Sequence, residues 1–219
     1  MAPLVQLTDP ALPPALFARL SRRIGQVGRE RLRRTYQTTL WYDFREPPAC
    51  VVEEAILKLR ERLPPRLRLA GAEWWLSRMY TTDVQVDFHQ DRDERLALAT
   101  GRLVHPRLSS VLFLNRVRGG ALAVTREPPD PERPSCAPLH LDLTLVAPRP
   151  NRYVLFDGTL THGVLDAENQ VPLGRLPGRS RLRRTIAINW WRARPTGIPT
   201  YREAGVYPAL APREGRSAP

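Results

Sequence analysis

The chain of 219 residues is 42% hydrophobic and 26% charged, ordinary for one soluble globular domain, and no stretch approaches the roughly 18 apolar residues that would span a bilayer. Its formal net charge of +12 rests almost wholly on scattered arginine, Lys58 being the one lysine among 34 basic residues, which does not call for a nucleic-acid partner although an anionic one fits it. Cys50 and Cys136 make no disulfide framework, and the N-terminus lacks the basic and long apolar parts of a secretory leader, so the expectation is a cytoplasmic protein with no membrane partner.

The first 65 residues or so read as helical. Residues 13–34 place Leu16, Leu20, Ile24 and Val27 at helical spacing, with Thr8 and Asp9 as capping candidates and prolines in the first turn. A second helix is predicted over 48–63 on the stripe Val52, Ile56, Leu59 and Leu63, ended by Pro64-Pro65. Both are expected to cover one face of a sheet. From about residue 72 the period changes to two. Strands are predicted over 73–80, 84–89, 109–114, 120–125, 139–146, 152–157, 161–165 and 183–191, short and rich in β-branched and aromatic residues. About eight strands after a helical start predict an α+β domain with a β-sandwich or jelly-roll core. The chain then divides into a helical support over 1–71, a core over 72–194 and a tail over 195–219 that wraps the surface or frays. Loops at 92–108, 126–138 and 166–182 have the length of lids or of plain surface.

With only four histidines in the chain, each can be weighed singly. His89 is followed two residues later by Asp91, and on a strand such positions share a face. An imidazole and a carboxylate can therefore converge on one ion. The second imidazole is expected from His162, 73 residues downstream, in the segment Phe156-Asp-Gly-Thr-Leu-Thr-His-Gly-Val164. Two histidines and one carboxylate on one face leave coordination positions open, as in the facial triad of non-haem Fe(II) oxygenases. The co-substrate 2-oxoglutarate would also need a fixed cation for its far carboxylate, and an arginine fork suits that. Arg184 opens an apolar strand, where a guanidinium is costly without an anion. It shares parity with Ile186, Ile188 and Trp190, and is preferred to Arg183 and Arg181, which stay open because 21 residues separate His162 from Arg184.

In this order the segments Met79-Tyr80, His89-Gln-Asp91, Ser109-Ser-Val-Leu-Phe-Leu-Asn115, Gly119-Gly-Ala-Leu122, Tyr153-Val-Leu-Phe-Asp157, His162-Gly-Val164 and Arg184-Thr-Ile-Ala-Ile-Asn-Trp190 resemble the prolyl-4-hydroxylase-like branch of the 2-oxoglutarate/Fe(II)-dependent oxygenases, over residues 73–192. The resemblance implies a double-stranded β-helix (jelly-roll) buttressed by the N-terminal helices. It implies Fe(2+) held by His89, Asp91 and His162, 2-oxoglutarate held by Arg184 with Tyr80 lining its pocket, and O2 as oxidant. The implied reaction hydroxylates a C–H bond of an amino acid, a peptide or protein, or a secondary metabolite and releases succinate and CO2. An intact Asp91 favours hydroxylation over halogenation. Phe113 stands where some relatives carry a tyrosine that bonds the co-substrate, and that contact is expected to be missing.

Other residues receive lesser roles. His140-Leu-Asp142 repeats the His-x-Asp pattern and competes with His89 and Asp91, without an equally placed third ligand. Asp93 reads as a solvated loop carboxylate, His105 as a loop residue, and Asp157 as an organiser of the turn before His162. Trp74-Trp75 and Trp190-Trp191 read as core and barrel wall, one of each pair facing the other way. The alternative functions are a catalytically silent jelly-roll protein binding an anionic partner through its basic surface, and a cupin-like metal enzyme that does not use 2-oxoglutarate.

Overall fold

A computed structural model of the chain describes residues 3–28, 38–84, 86–129, 143–179 and 181–212. Residues 29–34 of the predicted first helix and 139–142 of the predicted strand 139–146, with the competing His140 and Asp142, lie outside these residues, as does Cys136.

The first helix, α1, covers Pro14–Gln26 and buries Leu20 and Ile24. Its N-cap is Pro13, not Thr8 or Asp9; Asp9 instead pairs with Arg152 at 2.8 Å. The second, α2, covers Val51–Arg60 and buries Val52, Ile56 and Leu59, the expected stripe. Two strands lie in the region that reads as helical. Strand β1 covers Val5–Thr8 and β2 covers Leu40–Asp43, too short to show a period but completed by neighbours.

The remaining strands are β3 (Gly71–Tyr80), β4 (Leu108–Phe113), β5 (Leu122–Thr125), β6 (Thr144–Val146), β7 (Tyr153–Asp157), β8 (Thr161–Val164) and β9 (Leu182–Trp191). They form a sheet of six in the order β1-β7-β4-β9-β3-β2 and a sheet of three in the order β6-β5-β8. Every strand pair is antiparallel. Of the predicted strand at 84–89, the described residues, all but Gln85, form no strand. A turn at Thr81–Asp83 breaks the chain after β3, Val84 packs with Met79 and Val164, and only His89 makes a ladder pair, with His162.

The large sheet is buried on both faces. One face, with Trp74, Leu76, Leu112, Tyr153, Leu155, Ile186, Ile188 and Trp190, shares a single apolar cluster with Leu20, Ile24, Val52, Ile56 and Leu59 of the two helices. The other face carries Val111, Phe113, Val154 and Phe156, which meet Leu122, Val124 and Val146 of the small sheet. That second contact makes a two-layer sandwich with an inner space between the sheets.

Two further helices stand where loop or tail was expected. Within 92–108, α3 covers Glu94–Thr100, capped by Asp93, whose carboxylate accepts from Leu96 N at 3.0 Å and from Thr196 N at 2.8 Å. Asp93 is therefore a buried organiser, not a solvated loop acid. The tail neither frays nor merely wraps the surface through residue 212. Helix α4 (Tyr201–Ala204) has a capping box of Thr200 and Glu203, and Tyr201, Tyr207 and Leu210 belong to the main apolar cluster. Among the described residues no helix is long and apolar enough to cross a membrane.

Candidate metal centre

His89, Asp91 and His162 come together at the edge of the space between the sheets, their ligand atoms all within 4.8 Å of one another. His162 lies on β8, whose pairing with β5 sets it across from Val124. His89 is brought to it by two backbone bonds, His89 N to His162 O at 3.0 Å and His162 N to His89 O at 2.9 Å. The approach depends on Gly163, because a Cβ there would come within 2.8 Å of the Phe88 ring. Phe156 of β7 supports His162 from below, with ring centres 5.0 Å apart.

The donor atoms are oriented as ligation requires. His89 Nδ1 lies 2.7 Å from Asp87 O and His162 Nδ1 lies 3.2 Å from Leu160 O. A carbonyl can only accept, so each Nδ1 carries the proton and each Nε2 presents a lone pair. Those Nε2 atoms stand 3.5 and 3.4 Å from the two oxygens of Asp91. An ion with ligands at about 2.1 Å sets adjacent donors about 3 Å apart, so a small contraction would seat one. Lone pairs this close repel unless a cation or a proton stands among them, so the donor set fits a divalent metal.

The electrostatics agree. Burial alone would raise the Asp91 pKa, but the His162 and His89 rings and the Ser109 hydroxyl outweigh it and hold the carboxyl far below its usual range. Burial opposes charge on His89, yet the Asp91 carboxylate wins and holds that imidazole above its ordinary pKa. His162 is pushed down, by burial first, against the pull of Asp91 and with help from His89.

Two positioning residues carry no signal in the sequence. Ser109 Oγ donates to Asp91 Oδ2 at 2.8 Å, and His105 Nδ1 donates to Asp91 O at 2.7 Å. His105, expected as a plain loop residue, therefore anchors the triad loop. Asp157 accepts from Thr159 N at 3.0 Å and Thr159 Oγ1 at 2.7 Å, ordering the turn before β8.

The inner face of the large sheet extends from the triad in cross-strand rows. Ser109 stands opposite Asn189, which stands opposite Glu73. Glu73 Oε2 accepts from Trp191 Nε1 at 3.1 Å and Asn189 Nδ2 at 3.5 Å, and burial, with the nearby Asp91 charge, pushes its pKa up to about 7. The next row holds Trp75, Ala187 and Val111, and further in come Ser77, Thr185 and Phe113. Arg183 follows, only 3% exposed, its Nε donating to Gly120 O at 2.9 Å and its guanidinium 5.1 Å from the Phe113 ring centre. Gly120, at φ 66°, turns that carbonyl inward, and a Cβ there would meet Arg183 Cδ at 3.2 Å. Gly120 lies four residues before Val124, the partner of His162, so the guanidinium and the triad occupy opposite ends of a span of about 13 Å.

Arg184 and Tyr80 are not part of this space. Both alternate onto the helix-covered face, Arg184 beside Ile24, Gly25, Gly28, Arg78 and Asn115, and Tyr80 43% exposed at the end of β3. The parity that Arg184 shares with Ile186, Ile188 and Trp190 is that of the helix-packed core, and Arg183 is the arginine facing the triad's side. Of the paired tryptophans, Trp74 and Trp190 face the helices while Trp75 and Trp191 face inward.

No protein-family model and no curated protein matches the sequence. Solved structures do resemble the fold. A prolyl 4-hydroxylase from Phytophthora capsici aligns over 91% of this chain at 13% identity and a TM-score of 0.51, this chain spanning 61% of that one. A Pseudomonas putida prolyl-4-hydroxylase aligns over 87% of this chain and 89% of its own at 17% identity and a TM-score of 0.47. HygX from Streptomyces hygroscopicus, solved with nickel and 2-oxoglutarate bound, aligns over 90% of this chain and 84% of its own at 16% identity and a TM-score of 0.48. The likeness to the Phytophthora capsici enzyme shows that the chain shares the fold of that prolyl 4-hydroxylase.

Proposed function

We propose that the protein is a cytoplasmic non-haem Fe(II)- and 2-oxoglutarate-dependent dioxygenase that hydroxylates a C–H bond of a small-molecule or peptide substrate. The observation that carries this reading is the convergence of His89 Nε2, His162 Nε2 and the Asp91 carboxylate within 4.8 Å in a fold of this kind. In this reading the two sheets are the double-stranded β-helix of the oxygenases, and α1 and α2 buttress the larger one.

His89, Asp91 and His162 would hold the iron. When bound, iron, 2-oxoglutarate and O2 supply the chemistry: the oxo-acid goes to succinate and CO2, and the substrate C–H becomes C–OH. The chain's own share is positioning. Ser109 fixes the orientation of Asp91, and the Nδ1 bonds to Asp87 O and Leu160 O keep both imidazoles in the ligating tautomer. Arg183 is the cation for the distal carboxylate, taking the role that sequence parity assigned to Arg184. Its planar fork suits a carboxylate, Thr185 Oγ1 lies 3.4 Å from its Nη1, and it sits deep enough to be shielded from water. The intact carboxylate at Asp91 suits hydroxylation rather than halogenation.

An anaerobic titration with Fe(II) and then 2-oxoglutarate tests this. The expected result is a visible charge-transfer absorption that needs both additions, and succinate release on admitting air. Asp91→Ala is expected to abolish both. Absorption and succinate at wild-type levels in that variant would remove Asp91 from the centre. Their absence in the unaltered protein would favour a silent jelly-roll instead.

A further inference from the structure

Glu73 is a buried carboxylate that the iron and 2-oxoglutarate do not use. It projects from β3 into the space between the sheets, 8% exposed, in the same cross-strand row as Asn189 and Ser109. Ser109 bonds Asp91, so Glu73 stands two strand spacings from the metal's carboxylate support, on the order of 10 Å. That is the span of a small organic group, not of a metal ligand. The floor beside it is partly exposed. Trp75 and Ala187, in the next row, are only half-buried, while Trp74, Ile186 and Ile188 on the opposite face are 0%, 1% and 1% exposed.

The partners of Glu73 are all neutral: Trp191 Nε1, Asn189 Nδ2 and the Thr39 side chain. Several carboxylates of this arginine-rich chain meet guanidinium groups, as in Asp9–Arg152 at 2.8 Å, Asp157–Arg107 at 3.2 Å and Glu203–Arg194 at 2.9 Å, while buried Asp93 and Glu53, like Glu73, accept from neutral donors. Glu73 differs from these two in standing in the row that leads to the triad. Among the described residues no cation pairs with Glu73. For packing alone a glutamine would serve, since an amide oxygen accepts the same hydrogen bonds without the cost of a buried charge. A carboxylate oriented by three neutral donors, beside a partly exposed floor and in the row that leads to the triad, is an acceptor prepared for a cation from outside.

We propose that Glu73 is the substrate-recognition residue, accepting a hydrogen bond from a basic nitrogen, an ammonium or guanidinium, on the molecule whose C–H bond is oxidised. The inference rests on the oxygenase reading and names the substrate class of the same site. Trp75 and Trp191 supply apolar walls for the carbon chain between that nitrogen and the metal. Asn189 holds the carboxylate in line.

Paired probes test it: L-arginine against L-citrulline, and L-lysine against L-norleucine, each free and as the central residue of a pentapeptide. Succinate release above the uncoupled rate is measured for each. The basic member of a pair is expected to give a kcat/KM roughly ten- to a hundredfold above its neutral partner, the worth of one hydrogen bond to a charged group. Whether the free or the peptide form responds identifies the source. Glu73→Gln should bring the ratio within a pair to about one, and a ratio needs no assumption about the variant's overall rate. Calorimetry of the same probes with Zn(II)-substituted protein and 2-oxoglutarate gives a readout without turnover. If the uncoupled rate is present and the pairs respond equally or not at all, the recognition role is overturned. If neither uncoupled succinate nor the Fe(II)/2-oxoglutarate absorption appears, the oxygenase reading fails instead.

Discussion

Ser109 offers the sharpest test of how the centre is built, because its neighbour provides the control. Ser109 Oγ donates to Asp91 Oδ2 at 2.8 Å and the residue is 1% exposed. Ser109→Ala removes that donor and almost no volume, leaving Oδ2 with His162 Nε2 at 3.4 Å and the carboxylate free to rotate. Groups that orient a metal ligand from behind are worth about 10- to 100-fold in metal affinity, or roughly 1.4–2.7 kcal/mol. Ser110 points the other way, donating to Ile188 O at 2.8 Å and accepting from Trp190 Nε1 at 2.9 Å in the helix-packed core. Ser110→Ala should cost stability, about 1–2 kcal/mol for a lost buried partner, and leave metal affinity alone. Fe(II) affinity would be read from the anaerobic absorption titration and stability from denaturant unfolding. Ser109→Ala binding iron within about twofold of the parent, while Ser110→Ala weakens it, would refute the assignment of Asp91 support to Ser109 and the facing of β4 with it.

The two adjacent arginines of β9 should separate in the same manner. Arg183→Met is expected to raise the KM for 2-oxoglutarate by about 100-fold, the scale of a charged hydrogen-bonded pair, whereas Arg184→Met should change it less than about threefold; the reverse pattern in initial succinate rates would return the role to Arg184. Metal affinity should weaken as pH falls. His89 has its pKa held above the ordinary imidazole value, so on acidification it takes up a proton there and competes with the ion; calorimetric Mn(II) binding from pH 8 to 5.5 checks this, and a flat profile would contradict it. Glu53 on α2 is 3% exposed and burial pushes its pKa up to about 7. Because the folded pKa exceeds the unfolded one, the folded state holds the extra proton between about pH 4.5 and 7, and Glu53 makes stability fall as pH rises through that window, by on the order of 3 kcal/mol at most. Glu53→Gln should flatten this slope in denaturant unfolding at pH 5.5 and 8, and an unchanged slope would rule the residue out.

The sequence by itself named the candidate donor residues and the order of parts. His89-Gln-Asp91 and His162 are named by residue type, and the strands carrying Ser109, Tyr153, His162 and Thr185 announce themselves by period-two runs of β-branched and aromatic residues. Only the tertiary structure decided which face of those strands looks inward. Alternation separates two faces but labels neither, and here both are buried. The apolar set Ile186, Ile188 and Trp190 packs on the helices, while the polar set Arg183, Thr185 and Asn189 lines the space beside the triad. Hydrophobicity therefore pointed to Arg184, which lies on the helix-covered face, and not to Arg183, which lies on the triad's face. Ser109, His105 and Glu73 were equally silent, since their partners lie 18, 14 and 118 residues away and meet them only across the folded sheet. The same holds for Val5–Thr8 and for Tyr201, Tyr207 and Leu210: short segments carry too little pattern, and neighbours supplied by the rest of the chain make them strand or core.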